Sequence, residues 1–157
     1  MFDFKRFGAF PITMAFLSIV ITFFLYSVLP RIFDSATILR IGDGVFRTQV
    51  IKDSNDSGDI LSKISKIESD QAFLIIFNSS DKWKMDTKNM KVPVDIVWLS
   101  EDKRVVHIVK DAKPNDPAVT PKVKAKYIIG LSSGMVEKKT ILVNHMAVFQ
   151  IDELISN

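Results

Sequence analysis

Trp83–Leu99 reads WKMDTKNMKVPVDIVWL, and its two halves follow different rules. Val94–Leu99 is apolar except for Asp95 and lies between Pro93 and the polar Ser100-Glu101-Asp102. A run this short and this apolar matches a strand covered on both faces. Trp83–Lys91 carries Lys84, Asp86, Lys88 and Lys91 and shows no sustained strand or helix period, so it reads as a polar loop feeding the strand. Whether that loop displays chemistry or merely leads into the strand is the functional question.

The strands on either side follow from the same reasoning. Glu101-Asp102-Lys103 turns the chain into Val105–Val109, predicting an antiparallel hairpin with Val94–Leu99. Ala72–Phe77, AFLIIF, is a second wholly apolar run and reads as a central strand. Thr37–Ile41 and Val45–Ile51 flank Gly42-Asp43-Gly44, whose glycines supply the positive φ of a tight hairpin. Ile60, Leu61, Ile64 and Ile67 recur at helical spacing after a loop of capping residues, predicting a short amphipathic helix. Asp111–Pro121, with three prolines in eleven residues, is a loop. Lys126–Leu131 and Met146–Ile151 read as the last strands, with Ser132-Ser133-Gly134 as a turn and a helical turn at Met135–Lys138.

The chain has 157 residues and no cysteine, which excludes thiol chemistry, CxxC redox motifs and thiolate zinc sites. Its formal charge of +3 is mild and its basic residues are spread along the sequence, so nucleic acid is not an expected partner. From Gly8 to Leu29 the chain reads GAFPITMAFLSIVITFFLYSVL, with no charge. As a helix this run would extend about 33 Å, enough for a bilayer core. It is longer than the apolar region of a signal peptide, and Phe33-Asp34-Ser35-Ala36 is a poor cleavage site because of its Asp. Lys5 and Arg6 precede the run, against Arg31 and Asp34 after it, which places the N-terminus in the cytoplasm.

Catalytic motifs are absent: there is no Gly-rich phosphate loop, GxSxG or SxxK. His107 in VVHIV reads as a half-buried strand residue, and His145 as a turn residue. Two histidines without cysteine make no metal site, and no cofactor is implied. Asp86 and Asp95 are the pair that acid–base chemistry would use. Asp95, two residues after Pro93 at a strand entrance, also suits a structural role accepting backbone N–H groups from a neighbouring loop.

Lys88-Asn89-Met90-Lys91-Val92-Pro93-Val94-Asp95-Ile96, followed by RVVHIVK and TPKVKAKYIIGLSSGMVEKKTI, resembles domain of unknown function 192, a bacterial and archaeal family, in a membrane-anchored version. The likeness spans roughly Ala36 to Ile151 and is strongest at the family's WMKN-x-x-x-P-[LI]-D-[IM] signature. Carried over, that signature gives Lys88, Asn89, Pro93 and Asp95, with Trp83 resembling an upstream aromatic. This sequence departs from it where Asp86-Thr87 replace Trp-Met, where Asn144-His145 replace a late Gly-Asp, and where Gly130 stands for a usual Glu. The Arg-Gly-Leu-Met segment expected after the first hairpin is not recognisable around Ile60–Ile64. The resemblance implies a compact β-rich fold, often exported, and no established activity.

These readings combine into an α+β architecture: an N-terminal transmembrane helix followed by a compact β-rich domain. That domain is expected to hold about seven strands in a strongly bent sheet or partial barrel, with one or two short helices. The divisions are a cytoplasmic tail 1–7, an anchor helix 8–30, a linker 31–36, an extracytoplasmic domain 37–152 and a tail 153–157. The leading function is non-enzymatic binding of an envelope protein or small ligand, with Trp83, Lys88 and Asn89 as binding residues and Pro93 and Asp95 as structural ones. The alternatives are an envelope hydrolase using Asp95 with His107 or Asp86, and a subunit of a membrane assembly.

Overall fold

The structure, a computed structural model, describes residues 37–53, 64–88 and 90–150. Six strands occur in the order β1 (Thr37–Ile41), β2 (Gly44–Asp53), β3 (Gln71–Asp81), β4 (Val94–Leu99), β5 (Val105–Ala112) and β6 (Ala125–Ser132), followed by the helix α1 (Met135–Lys138). They form one sheet of spatial order β1-β2-β3-β6-β4-β5.

The apolar runs occupy the middle of that sheet. β4 lies between β5 and β6, and every one of its six residues is buried. β3 lies between β2 and β6, pairing parallel with the first and antiparallel with the second. A parallel neighbour requires a long crossover, here the residues between Asp53 and Gln71. The first hairpin pairs Ile41 with Gly44 across Gly42-Asp43, with Gly42 at φ +54°.

Alternation along the strands gives the sheet two apolar faces. One presents Leu74, Val97, Leu99 and Ile129, covered by Met135 and Val136 of α1 and by Ile141, Ala147 and Phe149 of the chain that follows. The other presents Ile75, Phe77, Ile96, Trp98 and Ile128, covered by Ile64, Ile67, Met85 and Met90 from two irregular segments. Apart from the four residues of α1, both covers lack regular secondary structure.

The expected architecture is therefore corrected to a β-sheet domain which, among the described residues, has six strands and one four-residue helix. Among the described residues no helix is long and apolar enough to cross a membrane, and the stretch 8–30 lies outside them. The amphipathic helix expected at Ile60–Ile67 is not found in its described half: Ile64–Ile67 is irregular, with both isoleucines buried on the sheet. Their spacing of three meets the core without a helix, because tertiary packing overrides a weak local preference. The strand expected at Met146–Ile151 is replaced by isolated bridges, Met146 to Arg104 and Val148 to Arg40. Exposed Met146 and Val148 alternate with buried Ala147 and Phe149, which is the strand signal the sequence carries. This strap joins β1 to the start of β5 rather than running beside either.

Candidate functional site

Because β4 and β5 are antiparallel, the residue that opens β4 pairs with the one that closes β5, Val94 with Ala112. The loop before β4 and the Pro-rich loop after β5 therefore leave the sheet side by side. They are stitched together: Met85 N–H donates to Val119 O at 2.8 Å, and Val119 N–H donates back to Met85 O at 2.9 Å. Asn115 N–H donates to Thr87 O at 3.1 Å, and the Thr87 hydroxyl donates to Asp116 O. Met85 and Thr87 are fully buried under this seam, while Lys84 and Lys88, between and beyond them, face solvent.

Trp83 anchors the start of the first loop. Its ring stacks on Phe77, with centroids 4.3 Å apart and planes within 8°. Its Nε1–H donates to Ser79 O at 3.0 Å, and its own carbonyl accepts from Trp98 Nε1–H at 3.1 Å. The expected aromatic contact residue is thus half-buried and held by two strands, β3 and β4. Lys88 is exposed, its backbone N–H donating to Asp86 Oδ1 at 2.8 Å in a local turn. Pro93 is exposed just before β4, and Asn89 lies outside the described residues.

Asp95 is 1 % exposed and has both carboxylate oxygens engaged. Oδ1 accepts from Asp111 N–H and Oδ2 from Val136 N–H, each at 2.8 Å. Val136 lies in the first turn of α1, whose opening residue Gly134 provides no side-chain cap, so Asp95 satisfies a helix-terminal donor from another element. Asp111, at φ +50°, accepts in turn from the Ser133 hydroxyl at 2.7 Å. Neither His107 nor Asp86 is among the partners of Asp95. His107 packs instead on the ring of Trp98, with centroids 5.1 Å apart, and Trp98 belongs to the opposite apolar face from Val97 and Leu99. The pairing of Asp95 with His107 or Asp86 is not formed. Among the described residues no group of three or more His, Cys, Asp or Glu is placed to hold a metal ion.

The paired loops also concentrate charge. Residues 82–92 and 113–124 hold seven lysines against two aspartates, leaving 14 basic and 16 acidic residues for the rest of the chain. Asp86 and Asp116 are occupied by turns within their own loops, Asp116 Oδ2 accepting from Lys113 N–H at 2.7 Å. Among the described residues Lys82, Lys84, Lys88, Lys91, Lys122 and Lys124 form no ion pair. Lysines spread along the sequence gather because the seam joins two loops distant in the chain. Thr87, one of the departures from the family signature, was missed as a site-building residue. Its in-phase spacing with Trp83 and Met85 was the available signal.

The chain matches the family DUF192, described as Uncharacterized ACR, over residues 37–148. It belongs to the DUF192 family. No curated protein matches it. Two solved structures resemble the domain, and at 16 % identity each they speak for the fold alone. A protein of unknown function from Novosphingobium aromaticivorans DSM 12444 superposes with a TM-score of 0.65, covering 71 % of this chain and 83 % of that one. A putative transcription regulator from Sinorhizobium meliloti 1021 gives a TM-score of 0.64, covering 72 % and 91 %. The DUF192 match covers the β-rich domain, and its description names no activity.

Proposed function

We propose that this DUF192 protein is a non-enzymatic binding domain held at the cell membrane on the extracytoplasmic side, capturing an envelope protein or small ligand that carries acidic groups. The observation that carries this reading is the seam between the two loops. Its backbone hydrogen bonds and buried Met85 and Thr87 hold a lysine-rich surface beside half-buried Trp83. A rigid platform of this kind lowers the ordering cost of binding, and its charge favours an anionic partner. The uncharged run Gly8–Leu29, with Lys5 and Arg6 before it, supports the placement at a membrane. Both oxygens of Asp95 being taken by backbone amides supports a structural aspartate.

The test removes charge from the surface without touching the seam. Full-length protein carrying Lys84→Ala and Lys88→Ala is expected to lose partners captured by the wild type from detergent extracts, with an unchanged melting curve. Undiminished capture by this variant overturns the assignment. Trp83→Ala is a poorer probe, because removing the ring also unstacks Phe77.

A further inference from the structure

A second surface lies at the far end of β5 from the paired loops, where the strap meets β1. Arg40 pairs with Val45 on one side and with Val148 on the other, so three side chains stand in a row across adjacent backbones. Such neighbours sit about 5 Å apart. Ile38 continues the row along β1, and Met146 continues it along the strap beside Arg104. Ile38, Val45, Met146 and Val148 are 47 %, 55 %, 51 % and 59 % exposed, whereas the alternating Leu39, Ile41, Ala147 and Phe149 are buried. The outer side of such an element normally carries polar residues. Here it carries large apolar ones interspersed with arginine.

We infer that this face, formed by Ile38, Arg40, Val45, Met146 and Val148, rests on an anionic lipid surface. The inference builds on the membrane placement proposed above. Apolar side chains beside guanidinium groups suit the boundary between headgroups and acyl chains, where phosphates pair with arginine and apolar tips leave water. The chain itself points to this occupant. Residues 1–36 precede the described domain and contain the apolar run, and Ile38 lies nine residues beyond its end at Leu29. Nine residues span at most about 32 Å, so a membrane holding that run is within reach of β1. A second copy fits less well. Two-fold pairing through this face sets Arg40 against the partner's Arg40, and that repulsion opposes association.

The chain has no cysteine, so single cysteines report their own surroundings. Full-length Val148→Cys and Met146→Cys, each carrying an environment-sensitive dye, are reconstituted with vesicles of phosphatidylcholine containing phosphatidylglycerol and a headgroup spin-labelled lipid. Lys122→Cys on the Pro-rich loop is the control. Quenching several-fold stronger at 148 and 146 than at 122 is expected, falling in pure phosphatidylcholine vesicles and on adding Arg40→Glu. Equal quenching at all three positions overturns the inference, as does dye self-quenching at 148, which signals a second copy. Flotation separates the two readings: protein that does not float with vesicles overturns the membrane placement and this inference together. Protein that floats without selective quenching overturns this inference alone.

Discussion

The two faces of the sheet are covered in nearly the same way and tied down differently. Each is closed by largely irregular chain that buries apolar side chains: α1 and the strap on one side, the first loop with Ile64 and Ile67 on the other. The first cover is tied down by a charge, Asp95, reaching across to the amide of Val136. The second is tied by neutral hydrogen bonds to a neighbouring loop, through Met85 and Thr87, and leaves its lysines unspent. The carboxylate that ties the first cover is itself buried. The cover held by backbone and hydroxyl groups leaves Lys84 and Lys88 facing solvent.

The largest expected effect comes from untying the first cover. Asp95→Ala leaves two amides without their acceptor, and at 1–3 kcal/mol for each lost partner the domain should lose about 3 kcal/mol in urea unfolding. A loss under about 1 kcal/mol would show that water replaces the carboxylate and that the first cover does not depend on it. Next comes Gly42→Ala, at the hairpin tip where Asp43 N–H donates to Lys139 O at 2.8 Å. An alanine there must hold φ near +54° with its methyl group against the Lys139 carbonyl. About 1–3 kcal/mol of destabilisation is expected in the same assay.

Thr87→Val probes the second cover. Loss of the hydroxyl that donates to Asp116 O should cost about 1 kcal/mol. It should also raise hydrogen exchange at the Asn115 and Val119 amides, while exchange at Val136 stays as it was. Faster exchange at Val136 would mean that the two covers act as one unit. The smallest effect belongs to the ion pair Lys126–Glu101, 2.8 Å apart and away from both ties. The hydrogen bond to Glu101 raises the Lys126 pKa above its ordinary 10.5. The pair's contribution is therefore complete below pH 10.5 and fades as the pH rises through the raised value. Wild type and Glu101→Gln should differ by a few tenths of a kcal/mol at pH 8, and the gap should close above pH 10.5. A gap that is constant with pH would assign it to something other than this pair.

The strands were legible where apolar runs leave no alternative. AFLIIF and VDIVWL had to be covered on both faces, and the Gly42-Asp43 and Glu101-Asp102-Lys103 turns paired their neighbours. That Asp95, at a strand entrance, accepts a backbone N–H from a neighbouring segment was legible, although its second amide, 41 residues away, was not. Ile64 and Ile67 misled because a spacing of three marks a helix face, yet equally lets an irregular segment place two side chains on one sheet. Met146–Phe149 misled because alternation records only which side chains point inward. It does not show whether a ladder of hydrogen bonds accompanies them.

By itself, the sequence determined the central strands, the local hairpins, the uncharged run at its start and the DUF192 signature. All of these depend on the order of neighbouring residues. Only the tertiary structure decided that the loops at Trp83 and at Asp111 share one seam, and that both oxygens of Asp95 accept backbone amides. It also decided that Arg40 stands between Val45 and Val148 on an exposed apolar face. These outcomes turn on which distant backbone groups meet, and hydrogen bonds between residues far apart in the chain leave no period in a sequence to be read.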